Sequence, residues 1–169
     1  MRDLLLLRHA KSDRQQLPSD DISRPLNKRG RDAAMRVGNW MKRHRIRPQW
    51  VICSTALRTR ETLDLMRSEV NIADELIAFD KRAYLADVGA LLAILARCPE
   101  DMNNILVIGH NPGMEQLLDY LCGPKLPLSE KGKLMPAGTL AQVSLPDDWR
   151  KLAPGSGKLA RIIRPEDIA

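Results

Sequence analysis

The sequence predicts an α/β fold: one domain spanning 1–169, with a mainly parallel central sheet and helices on both of its faces. Three observations predict it. The short apolar runs Leu4-Leu5-Leu6-Leu7, Val51-Ile52-Cys53 and Ile105-Leu106-Val107-Ile108 have the length and continuity of strands buried on both faces. Segments with helical periodicity alternate with them. Each run also ends abruptly in polar residues: Arg8-His9, Ser54-Thr55 and Gly109-His110-Asn111-Pro112. The carboxyl edge of an open α/β sheet is where ligands bind.

The elements follow in order. A first strand covers about Asp3 to Arg8. The polar segment 11–25, with Pro18, Pro25 and the pair Asp20-Asp21, reads as a surface loop beside the sheet edge and a candidate active-site lid. Asn27 is placed to cap a helix running to about Arg45, with Ala33, Val37, Trp40 and Met41 on one apolar stripe and Pro48 marking its end. A second strand, Trp50 to Cys53, leads to a helix reaching about Val70, which Ser54 or Thr55 would cap. Leu76 to Phe79 reads as a short strand. Val88 to Arg97 reads as a helix through Leu91, Leu92, Ile94 and Leu95. The strand Asn104 to Gly109 precedes a helix from Pro112 to Leu121, since proline is tolerated in a first helical turn. The segment 123–138, rich in Pro, Lys and Gly, is a long connection. Thr139 to Leu145 and Leu159 to Ile163 are late strands.

Composition narrows the function classes. At 169 residues, 44% hydrophobic and 28% charged, the chain has the balance of a water-soluble domain with a substantial core. The first apolar run is four residues long, with no basic lead or small-residue cleavage site. It therefore reads as a strand rather than a signal peptide, and no stretch is long enough to span a bilayer. Cys53, Cys98 and Cys122 are widely spaced and odd in number, which fits reduced structural thiols and a cytoplasmic protein. The net charge is +6, much of it in the basic stretch 28–47, where eight Lys and Arg residues face one acid, Asp32. That stretch reads as a solvated helix face in preference to a nucleic-acid surface. His44 lies within it and reads as a surface residue.

Two arginines and two histidines near three strand ends suit an anionic phosphoryl group. A neutral imidazole at His9 is a nucleophile near neutral pH and could form a phospho-histidine. Arg8 is its neighbour. Arg58 lies in the first turn of a helix, where the dipole already favours an anion and a guanidinium adds a bidentate clamp. A surface Arg58 paired with Glu61 or Thr62 is the bland alternative, and Arg60 points elsewhere. His110, after Gly109, could donate to a non-bridging phosphoryl oxygen. The histidines show no zinc spacing and the arginines supply positive charge, so neither a metal nor another cofactor is expected.

These residues carry a resemblance. Leu7-Arg8-His9-Ala10 resembles the Arg-His-Gly signature of the histidine phosphatase superfamily, with Ala10 in place of the usual Gly. Arg24-Pro25-Leu26-Asn27-Lys28-Arg29-Gly30, Ser54-Thr55-Ala56-Leu57-Arg58-Thr59-Arg60-Glu61-Thr62 and Gly109-His110-Asn111-Pro112 follow in the family's order, so the match spans about Leu4 to Leu121. The Arg-His-Ala-Lys-Ser and Gly-His-Asn-Pro-Gly forms look most like the SixA-type phosphohistidine phosphatases. The resemblance implies a phosphoglycerate mutase-like fold and a metal-independent phosphatase. His9 would accept the phosphoryl group, Arg8, Arg58 and His110 would bind it, and Ser12 and Arg24 would add contacts from the loop.

One departure is instructive. Many members carry a glutamate general acid in a Leu-Tyr-Glu-Ala-like stretch, and here Ala83-Tyr84-Leu85-Ala86 puts Leu85 in that place. An alkoxide leaving group needs the proton, whereas an imidazole protonated by solvent leaves readily. The departure argues for a phosphoramidate substrate and against sugar phosphates or a phosphoglycerate mutase reaction; the first reading is a phosphohistidine phosphatase acting on a protein such as a phosphotransfer domain. Asp13, Asp20 and Asp21 are replacement candidates on the loop, more simply read as solvated carboxylates. A general phosphatase of small phosphomonoesters is the alternative. A non-catalytic phosphate- or phosphoprotein-binding module is the second alternative. The sequence names no oligomeric state.

Overall fold

A computed structural model describes residues 1–14 and 20–168. Six strands, β1 (Arg2–Arg8), β2 (Trp50–Cys53), β3 (Ile77–Phe79), β4 (Asn104–Gly109), β5 (Leu140–Leu145) and β6 (Lys158–Ile163), form one sheet in the order β3-β2-β4-β1-β5-β6. The first four in that order are parallel, and β5 and β6 are antiparallel additions. The expected α/β sandwich with a mainly parallel sheet is thus the fold observed.

The strand pleat explains why the apolar runs are continuous. In β1, Leu4 and Leu6 point into one core and Leu5 and Leu7 into the other. The first core is closed by α3 (Val88–Ala96) and α4 (Gly113–Cys122), and the second by α1 (Lys28–Arg43) and α2 (Leu57–Arg67). All four leucines are essentially inaccessible, and each contributes about 1.5–3 kcal/mol by leaving water. Among the described residues no helix is long and apolar enough to cross a membrane.

The helix starts test the local reading. Asn27 caps α1 as expected, its Oδ1 accepting from the Gly30 N–H at 2.8 Å. Ala33, Val37, Trp40 and Met41 are buried, and the basic residues of 28–47 are exposed apart from half-buried Arg36. His44 lies at the exposed C-terminus of α1, stacked on Trp40. For α2 the expected cap is corrected: the N-cap position is Ala56, without a side-chain cap. The Ser54 hydroxyl accepts from the Ala56 N–H at 3.3 Å and is turned toward His110. α4 starts at Gly113, with Pro112 at its N-cap after a cis Asn111-Pro112 bond. The three cysteines are free, and burial pushes their thiols up, Cys53 to about 12 and Cys98 and Cys122 to about 11.

The middle of the candidate lid, 15–19 with Pro18, lies outside the described residues. Its ends are tied down: Ser12 pairs with Leu26 in an antiparallel bridge, and Asp21–Ser23 forms a short 3-10 turn. The connection 123–138 contains no helix or strand. Arg164 holds it, donating from Nη2 to the carbonyls of Pro127 and Leu134.

Candidate active site

The order β2-β4-β1 brings three strand ends side by side. Their exits are stitched together by backbone bonds, with the His9 N–H donating to the Gly109 carbonyl and the Ser54 N–H to the Ile108 carbonyl, both at 3.1 Å. Arg8-His9, Ser54 and His110 therefore share one edge, with Arg58 in the first turn of α2 beside them.

His9 is oriented by its own backbone neighbourhood. Its Nδ1 lies 2.7 Å from the Ala10 carbonyl. A carbonyl only accepts, so Nδ1 carries the proton and Nε2 keeps its lone pair. Burial, followed by the nearby His110, Arg58 and Arg8, lowers its pKa to about 3, so the ring is a neutral imidazole at physiological pH. The His110 ring lies 5.3 Å away between centroids. Burial and then Arg58 lower its pKa to about 4. Nε2 of His110 is 2.8 Å from the Ser54 hydroxyl. That hydroxyl oxygen also accepts from the Ala56 N–H, so Ser54 links the start of α2 to the His110 ring. The other ring nitrogen, Nδ1, is buried and has no partner among the described residues.

The arginines are held from their outer sides. Arg8 donates from Nη1 to the Met135 carbonyl at 2.9 Å, and its buried Nε has no partner among the described residues. Asn111 Nδ2 donates to the same carbonyl at 3.0 Å. Arg58, 2% exposed, donates from Nη1 to the Asp21 carbonyl at 2.8 Å and from Nη2 to Asp21 Oδ2 at 2.9 Å. Thr62 is not its ion partner: the Thr62 hydroxyl donates to the Arg58 carbonyl and accepts from the Ala10 N–H, while Glu61 accepts from the Leu26 N–H. Arg60 turns away onto the Phe79 ring.

Ser12 and Arg24 are joined, Arg24 Nη1 donating to the Ser12 hydroxyl at 2.6 Å and Nη2 to Asp21 Oδ1 at 3.0 Å. Asp21 is thus not the freely solvated carboxylate expected. Its Oδ2 also accepts from the Tyr84 hydroxyl at 2.5 Å, and these bonds hold it down to about 2. Leu85 is exposed and sits at φ 51°, a left-handed conformation uncommon for a branched side chain. Sequence reasoning gave Tyr84 no role, read Ser54 only as a helix cap, and read Asp21 as a candidate acid or a solvated carboxylate rather than a partner of Arg58. Only Tyr84, next to the missing acid, carried a local signal. Among the described residues no group of three or more His, Cys, Asp or Glu side chains could hold a metal ion.

Comparison with known proteins points to the same family as the motifs. Residues 4–82 match the model of the histidine phosphatase superfamily (branch 1). A solved structure from Nakamurella multipartitia, assigned as the phosphohistidine phosphatase SixA, superposes with a TM-score of 0.82 at 29% identity, covering 97% of this chain and 96% of the other. The chain is thus similar to the histidine phosphatase superfamily over residues 4–82, and to a SixA-type structure over nearly its whole length. It is a phosphatase of SixA-like architecture on the phosphoglycerate mutase-like fold. Among sequence relatives, the phosphohistidine phosphatase SixA of Escherichia coli is 26% identical, over 86% of this chain and 91% of its own. A chloroplastic protein of Arabidopsis thaliana is 29% identical, over 98% of this chain and 78% of its own.

Proposed function

We propose that this phosphatase hydrolyses phosphohistidine through a phospho-His9 intermediate. His9 Nε2 attacks phosphorus in line, the P–N bond to the substrate imidazole breaks, and that imidazole leaves with a proton from solvent. Water then attacks phospho-His9, releasing inorganic phosphate and restoring the neutral ring. Arg8, Arg58 and the Nδ1–H of His110 stabilise charge on the non-bridging oxygens. Ser12 and Arg24 line the approach from the loop.

The observation that carries this reading is the state of the acids. Leu85 stands where an acid would protonate an alkoxide, and Asp21, bound to Arg58, Arg24 and Tyr84, is ionised far below neutral pH. A site so furnished suits a leaving group that draws its proton from solvent. The rim favours a protein carrier: exposed Ile22, Leu57 and Leu85 are sequence neighbours of Asp21, Arg58 and Tyr84, which bond or stack on one another. The partner under this reading is a phosphorylated protein, such as a phosphotransfer domain, in the cytoplasm.

The test is a paired rate assay with chelator present, comparing a phosphohistidine-bearing phosphotransfer domain with an aryl phosphate. His9→Ala, which should fold and show no turnover, is the control. Fast His9-dependent loss of phosphohistidine with slow ester cleavage is expected. The reverse preference would establish a general phosphomonoesterase. Phosphate binding without turnover of either substrate would establish a binding module.

A further inference from the structure

The groups assigned to the phosphoryl site are closed off from solvent: His9 is 7% exposed, Arg58 2% and His110 3%. On the solvent side of Arg58 lies Asp21, its side chain 47% exposed. Its carboxylate is surrounded as an anionic oxygen cluster would be, with Oδ1 on Arg24 and Oδ2 on both Arg58 and the Tyr84 hydroxyl. Its carbonyl takes the other terminal nitrogen of Arg58. One residue thus engages both terminal nitrogens of the buried guanidinium, in the forked geometry with which arginine grips a phosphate.

We propose that Asp21 is an internal competitor for the phosphoryl group, sitting in the Arg58–Arg24 fork of the resting protein and exchanging places with the phosphoryl group that binds. The proposal rests on Arg58 being a phosphoryl ligand and not on the identity of the leaving group. Charge favours the exchange, because a phosphoryl dianion carries roughly twice the charge of a carboxylate and three acceptor oxygens. The local structure permits it: the turn Asp21–Ser23 buries none of its residues, so little packing opposes its displacement. Tyr84 is the latch. Its hydroxyl donates to Asp21, its ring meets the edge of His110 at 5.3 Å, and the Arg58 guanidinium lies 5.9 Å from its centroid. Because the fork is free in only part of the population, apparent affinity for every phosphorylated ligand is reduced by that fraction.

The opposite role is that Asp21 orients Arg58 for the substrate, and the two roles predict opposite signs. Inorganic phosphate is titrated calorimetrically into the wild type, Asp21→Asn, Tyr84→Phe, the double variant and Arg58→Ala, each checked for folding by circular dichroism. As a competitor, Asp21→Asn binds phosphate about fivefold more tightly, as loss of one partly exposed ion pair allows. Tyr84→Phe shifts the same way by about twofold, and the double variant binds no more tightly than Asp21→Asn alone, because Tyr84 acts through Asp21. Weaker or unchanged phosphate binding by Asp21→Asn and Tyr84→Phe, with wild-type binding still lost in Arg58→Ala, overturns the competitor and leaves the clamp standing. Unchanged binding in Arg58→Ala overturns clamp and competitor together. A check independent of any variant is the carboxyl carbon resonance of Asp21 in wild-type protein, which must move on saturation with phosphate. A resonance that stays put overturns the exchange.

Discussion

Nε2 of His110 and the hydroxyl of Ser54 lie 2.8 Å apart, joining the residue that follows β4 to the one that follows β2. The bond occupies Nε2 and leaves Nδ1 as the nitrogen for the phosphoryl contact proposed for His110, although Ser54 itself is fully buried and is assigned no contact with substrate. Ser54→Ala leaves Nε2 buried without its partner, and stability in urea should fall by about 1–3 kcal/mol. Under the proposed role of His110, kcat should fall by more than KM rises. An unchanged kcat would remove His110 from the transition state.

Acid should destabilise the protein through its two site histidines. Both have folded-state pKa values, about 3 and about 4, below the ordinary value near 6.5. Between those values and 6.5 the unfolded chain takes up protons that the folded chain refuses. The stability they contribute is complete above pH 6.5 and is lost as pH falls, by roughly 1.4 kcal/mol per pH unit for each proton. Thermal unfolding should show Tm dropping from pH 7 to pH 5, and a smaller drop in His9→Gln. A ring-proton resonance of His9 titrating with a midpoint near 6.5 would contradict the burial.

Arg58→Ala should lose on the order of 10² or more in rate, the scale of a lost transition-state donor. Arg58→Lys should recover only a small part, since a single ammonium cannot span the two positions its terminal nitrogens now fill. Steady-state rates on the best substrate decide the point, and a loss below threefold for Arg58→Ala would sink the clamp.

Gly30 in α1 touches the chain just beyond His9. A Cβ there would lie 1.9 Å from the Lys11 carbonyl oxygen, the same oxygen that accepts from the Asn27 N–H. Gly30→Ala should cost about 1–3 kcal/mol through forced displacement and lower turnover with it. Gly89→Ala, in open helix surface with only ordinary contacts, should leave stability unchanged or raise it by up to about 1 kcal/mol. Urea melts of the two variants test the contrast.

Much of this was legible because the fold relies on simple signals. β1 and β4 are continuous apolar runs since both faces of the central strands are covered, and the reactive residues stand immediately after them. The orientation of β5 and β6 was not legible: the 12-residue link 146–157 is compatible with more than one pairing, and the antiparallel arrangement is settled by where β5 packs beside β1. The cap of α2 was misplaced because Ser54 has a cap's chemistry and spends it on His110. Asp21 and Tyr84 are 63 residues apart, and no local pattern announces that they meet across Arg58.

The backbone bonds from His9 to Gly109 and from Ser54 to Ile108 have a consequence for descent. The groups proposed to react hang from main chain that the sheet requires in any case, so their placement is inherited with the fold. Ile22, Leu57 and Leu85 stand outside that frame and are exposed. A lineage carrying this architecture can therefore drift at the rim toward a new phosphorylated partner while the chemistry stays in place, each step leaving a foldable ancestor behind it.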